Sequence, residues 1–141
     1  MKTMIVYASK SGATKECADL LNQELDISSI FDISKEAPSL GGFDTVIIGS
    51  GVRMGKLYKP VLSYIKKNEE ILLSKRVAFY LCNAYPDTFQ KAVERNIPQK
   101  LIQAAVSVMS FGGKPPFTAT NRSDWLMSTN VTDFVKTICQ I

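Results

Sequence analysis

A polar loop directly after the first apolar run contains the residues whose types and spacing are best suited to chemistry. The apolar run spans Met4 to Ala8, and a helical pattern follows the loop. The loop residues are Ser9, Lys10, Ser11, Gly12, Ala13 and Thr14. The first N–H groups of a helix have no partner within it and carry partial positive charge, so this position favours an anion. Three hydroxyl groups, together with a glycine that lets the backbone approach closely, indicate a phosphate site.

Simpler roles for the same residues stay open. Ser11 or Thr14 can cap the helix and bind no ligand, since hydroxyl side chains are preferred at helix starts. Lys10 can add positive charge to the site or simply face water. The phosphate interpretation therefore depends on the loop lying between a strand and a helix.

Other phosphate-binding motifs fit the chain poorly. The two Gly-Lys steps, Gly55-Lys56 and Gly113-Lys114, are not followed by the Ser or Thr that a P-loop requires. The segment Gly49 to Gly55 looks like a dinucleotide fingerprint, but it follows the third apolar run instead of the first. A receiver-type phosphorylation switch needs acidic residues after the first and third runs, where the chain has Ala8-Ser9 and Ser50-Gly51. We therefore expect neither nicotinamide binding nor a phosphorylation switch.

Apolar runs that are typical of buried strands alternate with helical patterns. The runs are Met4 to Ala8, Ile27 to Ile33, Thr45 to Ser50, Val77 to Cys82 and Val106 to Phe111. The first helix is predicted from one apolar face, formed by Cys17, Ala18, Leu21 and Leu25. The second connection, Ser34 to Asp44, has room for one or two helical turns at most.

The later helices are predicted from proline positions and apolar spacing. One begins near Lys59-Pro60 and runs toward Leu72-Leu73, because proline suits a first helical turn. The next spans Asp87 to Gln103 and is interrupted by Pro98. Gly112 to Asn130 is expected to be a loop, and Val131 to Cys139 a closing helix.

This alternation predicts the fold. Strands that alternate with helices in 141 residues indicate an α/β architecture, a doubly wound five-stranded parallel sheet of order 2-1-3-4-5 with helices on both faces. We expect residues 1–141 to form a single domain. That strand order places a ligand crevice at the carboxyl ends of strands 1 and 3, next to the polar loop.

Composition narrows the chemistry. Histidine is absent, which removes the usual general base and the commonest metal ligand, so a cofactor is expected to supply any reactivity. The three cysteines, Cys17, Cys82 and Cys139, lack metal-site spacing and are expected to be buried thiols. The net charge of +4 is mild and scattered, which argues against nucleic-acid binding. No apolar stretch approaches the roughly 18 residues of a membrane span, and we expect a cytoplasmic protein.

The polar loop resembles the phosphate loop of the flavodoxin superfamily, in which Ser or Thr alternates with other residues before a Gly and a Thr. This resemblance implies a flavodoxin-like fold, FMN as the cofactor and this loop as the binding site of its phosphate. The flavin ring would then lie across the loops Gly49 to Tyr58 and Leu81 to Pro86. The ring-binding residues that the resemblance implies are Ser50, Gly51, Val52, Arg53, Met54, Gly55, Asn83, Ala84 and Tyr85. Tyr85 can stack on the ring or be an ordinary half-buried surface tyrosine.

A closer resemblance is carried by two segments in the middle of the chain, VIIGSGVRMGKLY and PVLSYIKKNEEILLSKRVAFYLCNA. They look like the menaquinone-dependent protoporphyrinogen oxidase branch of the superfamily, from Met4 to about Ala84. Those oxidases carry a longer basic and aromatic insertion where this chain has the short segment Gly112 to Asn130.

We therefore expect an FMN-binding redox protein, a monomer or homodimer, that passes electrons to partner proteins or to a small-molecule acceptor. Two alternatives are a quinone-linked enzyme similar to the protoporphyrinogen oxidases and a flavin-free binding module. The resemblance implies that a glycine peptide can accept a hydrogen bond from flavin N5, with Gly51 and Gly55 as candidates. The positive net charge, and Arg53 in particular, predict a less negative low potential than acidic flavodoxins have.

Overall fold

The computed structural model describes residues 2–10, 12–25, 28–113 and 125–140, and within them a sheet lies between two layers of helices. The strands are β1 (Thr3–Ala8), β2 (Ser28–Asp32), β3 (Thr45–Arg53), β4 (Lys56–Leu57), β5 (Arg76–Cys82) and β6 (Ser107–Ser110). The helices are α1 (Ala13–Glu24), α2 (Lys59–Leu73), α3 (Phe89–Asn96), α4 (Gln99–Ala104) and α5 (Ser128–Cys139). A single 3₁₀ turn, Pro86–Thr88, precedes α3.

The sheet has the predicted topology. Five strands pair in parallel in the order β2-β1-β3-β5-β6, which is the order 2-1-3-4-5 when only parallel strands are numbered. The strand count is six, because β4 pairs antiparallel with the end of β3. The doubly wound α/β prediction is therefore confirmed, with one short strand added.

Helices cover both faces of the sheet, as predicted. On one face α1 and α5 bury Cys17, Leu21 and Phe134 against the strands. On the other face α2, α3 and α4 bury side chains such as Ile65 and Leu101. The central strands are apolar and buried on both faces because each face is covered by helices.

Most helix predictions are confirmed in position. Pro60 lies in the first turn of α2, and Pro98 separates α3 from α4 because proline cannot supply the N–H that a continuous helix needs. The connection at 34–44 contains turns and no helix. Helix α5 begins at Ser128, three residues before the predicted start at Val131.

Three expectations need correction or fall outside the described residues. The prediction that all three cysteines are buried is wrong for Cys139, which is exposed at the last position of α5. The ring-binding loop predicted from Gly49 onward is largely strand, since β3 continues to Arg53. Ser11, Ile27 and residues 114–124 of the predicted long loop lie outside the residues that the structure describes.

Among the described helices, none is long and apolar enough to span a bilayer.

Candidate functional site

The predicted phosphate loop lies between β1 and α1, as the site requires. Gly12 is the N-cap of α1, and its φ of 91° is in the left-handed region that glycine adopts at little cost. The hydroxyl oxygen of Ser9 accepts a hydrogen bond of 3.0 Å from the Gly12 N–H, which shapes the loop. Thr14 lies inside the first turn, so the interpretation in which Thr14 caps the helix is wrong.

A glycine N-cap has consequences for binding. Because Gly12 has no side chain, no side-chain hydrogen bond caps α1, and the first N–H groups of the helix are left for an external acceptor. Ala13 and Thr14 are buried in the first turn, whereas Ser9 is half-buried and Lys10 is exposed. The start of α1 therefore offers N–H donors and partial positive charge, which are features that favour an anion.

A buried tyrosine, which the sequence analysis did not single out, fixes the start of α1. The Tyr80 hydroxyl, on β5, donates a hydrogen bond of 2.9 Å to the carbonyl oxygen of Thr14. Tyr80 has no exposed surface, and its ring stacks on Phe111 with 4.8 Å between ring centroids. Burial is the largest cause that raises the pKa of Tyr80 well above its usual value, so the hydroxyl remains a donor. Because side chains alternate between the two faces of a strand, the sequence of β5 indicates at most which face Tyr80 occupies. It does not reveal the hydrogen bond to Thr14.

The segment after β3 forms a tight β-hairpin. Val52 pairs with Leu57 and Arg53 pairs with Lys56, which leaves Met54 and Gly55 as the two turn residues. Their φ values are 54° and 76°, and positive φ at both positions is typical of a type I′ turn. Met54 is 90% exposed.

The hairpin is fastened to α3 by Asn96, a second residue that the sequence analysis missed. Its side-chain nitrogen donates hydrogen bonds to the carbonyl oxygens of Gly55 at 2.8 Å and of Ala92 at 2.7 Å. Its side-chain oxygen accepts a longer bond of 3.4 Å from the Leu57 N–H. No local pattern could have revealed these contacts, because Asn96 lies about forty positions away from the hairpin in the chain.

The two glycines proposed to approach flavin N5 differ in their surroundings. Gly51 lies within β3, where the Tyr58 ring occupies the space that a Cβ atom would need. The Gly51 carbonyl accepts a hydrogen bond of 2.8 Å from the buried Ser50 hydroxyl, while the Gly55 carbonyl is held by Asn96. Reorienting either peptide therefore breaks a side-chain hydrogen bond.

The loop after β5 is ordered by its own polar groups. The Asn83 side chain is 2% exposed, and it donates to the Thr88 hydroxyl at 3.0 Å and accepts from the Tyr85 N–H at 3.2 Å. Ala84 is half-buried, and Gly113 packs against its backbone. Tyr85 itself is 59% exposed, which leaves its ring accessible to a ligand or to solvent.

These three segments meet at one edge of the sheet. Parallel pairing sets Ala8 beside Ser50 and Gly51 beside Cys82, so the loops after β1, β3 and β5 leave neighbouring strand ends. The Lys10 ammonium lies 5.1 Å from the centroid of the Tyr58 ring, which joins the first loop to the hairpin. The structure therefore brings the described candidate residues together, while Ser11 lies outside the described residues.

The comparison with family models agrees with this architecture. Residues 4–133 match the family described as Flavodoxin domain. This chain belongs to the flavodoxin domain family.

Solved flavodoxin structures share the fold. A flavodoxin of Fusobacterium nucleatum bound to flavin mononucleotide has a TM-score of 0.64 and 12% identity, with 97% of this chain and 96% of that chain covered. A flavoprotein of Lactobacillus acidophilus in complex with FMN has a TM-score of 0.60 and 21% identity, with coverage of 77% and 92%. At these identities the likeness concerns the flavodoxin fold.

The resemblance to the protoporphyrinogen oxidase branch is confirmed by sequence similarity. The protoporphyrinogen IX dehydrogenase (quinone) of Escherichia coli strain K12 is 29% identical over 122 residues, which cover 82% of this chain and 64% of that protein. The flavodoxin domain described here thus spans just under two thirds of the length of the curated relatives it matches.

Electrostatics at the site of this flavodoxin domain favour an anionic ligand. Lys10 and Arg53 are both exposed, and the positive charges of both act near Tyr58. Burial raises the pKa of Tyr58, the Cys82 thiol raises it further, and the positive charge of Arg53 lowers it. Within the described ranges no cluster of acidic or cysteine side chains has the composition of a metal site. The described residues at this edge thus offer helix-start N–H groups, exposed cations and an exposed tyrosine ring, which are groups that suit an anionic aromatic ligand.

Proposed function

We propose that this protein binds FMN non-covalently and passes electrons through it between redox partner proteins or to a small-molecule acceptor in the cytoplasm. The single observation that carries the proposal is the glycine N-cap of α1, which opens toward the strand ends where the other two loops meet. FMN supplies reversible one- and two-electron chemistry when bound.

The phosphate is assigned to the first loop on its donors and charge. The N–H groups that begin α1, with the partial positive charge at that helix end, favour a dianion. The hydroxyl groups of Ser9, Ser11 and Thr14 add donors, and Lys10 adds positive charge nearby. Tyr80 keeps the helix start fixed against β5, so the donors keep their geometry without the ligand.

The ring is assigned to the hairpin and to the loop after β5. Ser50, Gly51 and Val52 bring backbone groups to the crevice, and the turn residues Met54 and Gly55 border it. On the other side, Asn83 holds the loop that presents Ala84 and Tyr85. Arg53 places positive charge at the end of β3, where it stabilises added negative charge on a reduced ring.

Binding of FMN and of riboflavin, measured by calorimetry, tests the assignment, because riboflavin lacks only the phosphate. We expect FMN to bind at least a hundredfold more tightly, since charge-assisted hydrogen bonds contribute about 1.5–3 kcal/mol each. Thr14→Val keeps the shape of a buried side chain and should weaken FMN binding about tenfold, the equivalent of about 1.4 kcal/mol, with riboflavin binding unchanged. The matched control is Ser63→Ala on the exposed side of α2, which should change neither constant.

Equal affinities for FMN and riboflavin would contradict the assignment of the phosphate to the first loop. Absence of binding for both ligands, with no bound phosphate in a ³¹P NMR spectrum, would leave the flavin-free binding module as the remaining explanation.

A second candidate function is favoured by the similarity to protoporphyrinogen IX dehydrogenase. If this chain is a quinone-linked enzyme of that kind, FMN-loaded protein should oxidise protoporphyrinogen with a menaquinone analogue as acceptor. Omission of the quinone should stop turnover. If FMN-loaded protein shows no quinone-dependent oxidation of protoporphyrinogen, the enzyme hypothesis is wrong and the electron-transfer role remains.

A further inference from the structure

The tip of the β3–β4 hairpin, residues Arg53 to Lys56, has a conformation that its sequence does not favour. A two-residue turn with positive φ at both positions suits Asn and Gly, yet the first position holds Met54 at a φ of 54°. Met54 is also 90% exposed, so it gains almost nothing from burial. A side chain that suits neither its backbone nor its solvent exposure is an outlier from which a function can be inferred.

The hairpin tip is held in place. Asn96 hydrogen-bonds the Gly55 carbonyl at 2.8 Å, and Leu57, directly after the tip, is 3% exposed and packed into the core. The Met54 side chain is therefore presented from an anchored turn. An apolar group presented in this way loses little backbone entropy when it meets a partner.

Four positively charged side chains lie on the hairpin or near residues at its ends. The cations, which we call the basic rim, are Lys10, Arg53, Lys56 and Arg95, and all four side chains are exposed. Arg53 and Lys56 pair across the hairpin, and the Arg95 guanidinium lies 3.3 Å from the point that a Cβ atom on Gly55 would occupy. None of the four forms an ion pair with a residue in the part of the chain that the structure describes.

Acidic residues on the same elements only partly offset this charge. The hairpin has none, and the exposed acids of α3 and its preceding turn are Glu94 and Asp87. Glu94 accepts a hydrogen bond of 3.1 Å from Gln90. The edge around Met54 therefore keeps an excess of positive charge.

We propose that the hairpin tip and the basic rim form the docking surface for an acidic partner protein, with Met54 as its apolar centre. Met and Arg are enriched in protein interfaces, and complementary charge steers partners together. A single exposed methionine offers no stacking platform for nucleotide bases and too little apolar surface to enter a membrane. Binding of an acidic protein to this surface does not require bound flavin. Its use in electron transfer rests on the proposed function.

Two probes test the surface by ¹⁵N NMR, each with and without FMN. The paramagnetic trianion tris(oxalato)chromate(III) should broaden the amide signals of residues 53–57 and 94–96 before others. A plant-type ferredoxin with net negative charge should shift the same signals at low salt. The double reversal R53E/K56E should weaken ferredoxin binding at least tenfold, and Met54→Asn should weaken it about threefold while suiting the turn.

The matched control is K66E/K67E, an equal charge change on exposed positions of α2, which should weaken ferredoxin binding less than threefold. Uniform broadening by the trianion, or equal effects of the two double reversals, overturns the docking surface. Binding of duplex DNA or of phosphatidylglycerol vesicles through the same residues, without ferredoxin binding, overturns the choice of an acidic protein. If FMN fails to bind but ferredoxin still shifts these signals, the proposed function fails and the docking surface stands.

Discussion

Replacement of Asn96 with alanine tests whether one side chain on α3 holds the hairpin that borders the candidate flavin site. The substitution removes the 2.8 Å hydrogen bond to the Gly55 carbonyl and the 3.4 Å bond from the Leu57 N–H. A typical hydrogen bond contributes about 0.5–1.5 kcal/mol net, and the longer bond contributes less. We therefore expect the free energy of unfolding to fall by about 1–2 kcal/mol.

Asn68→Ala is the matched control. The Asn68 side chain also lies on a helix and donates to the carbonyl four residues earlier, at 2.9 Å from Tyr64, just as Asn96 does to Ala92. Within the described part of the chain the Asn68 side chain makes no hydrogen bond to another element, so its removal should cost less than about 0.5 kcal/mol. The difference between the two variants isolates the bonds between α3 and the hairpin.

Urea unfolding and hydrogen exchange measure the two consequences. With a slope of about 2 kcal/mol/M, Asn96→Ala should lower the unfolding midpoint by about 0.5–1 M. Amide exchange at Lys56 and Leu57 should accelerate more than exchange in β1, because the loss is local. Equal midpoints for Asn96→Ala and Asn68→Ala, or unchanged exchange at Leu57, would refute the idea that Asn96 anchors the hairpin.

Three further predictions concern packing, pH and redox potential. Gly49→Ala should destabilise the fold by about 1–3 kcal/mol in urea, because its Cβ would overlap the buried Tyr80 ring. Gly41→Ala should be near neutral, because its Cβ would lie at an ordinary contact distance of 3.6 Å from the Ser39 hydroxyl oxygen. Above about pH 10 a tyrosine in the unfolded chain ionises, whereas the raised pKa keeps Tyr80 protonated in the folded protein. The free energy of unfolding should therefore fall with rising pH by up to about 1.4 kcal/mol per pH unit. Tyr80→Phe should make that fall shallower. In FMN-loaded protein, Arg53→Ala should lower the more negative flavin potential by about 20–40 mV, the equivalent of about 0.5–1 kcal/mol. The control Lys67→Ala should leave that potential unchanged. If Arg53→Ala causes no shift, the electrostatic argument is wrong.

The parts of the fold that follow from local chemistry were predictable. Buried strands of a parallel sheet are apolar throughout, so the runs that became β1 and β5 were visible directly. The positions of proline predicted the start of α2 and the break after α3, because the missing N–H of proline limits helix formation locally and needs no tertiary partner. The first loop was found for the same reason, since a glycine and hydroxyls between a strand and a helix need no distant partner to indicate an anion site.

The sequence by itself determined the order of strands and helices, the side of the sheet where the candidate site lies and the residue types that suit a phosphate. Tertiary structure decided that the glycine-rich stretch after β3 is a strand and a tight hairpin, because Asn96 holds its turn from about forty residues away. It also decided that Tyr80 fixes the start of α1, through a bond between residues 66 positions apart. Such contacts depend on the packing of whole elements, and no pattern within a short stretch of chain specifies them.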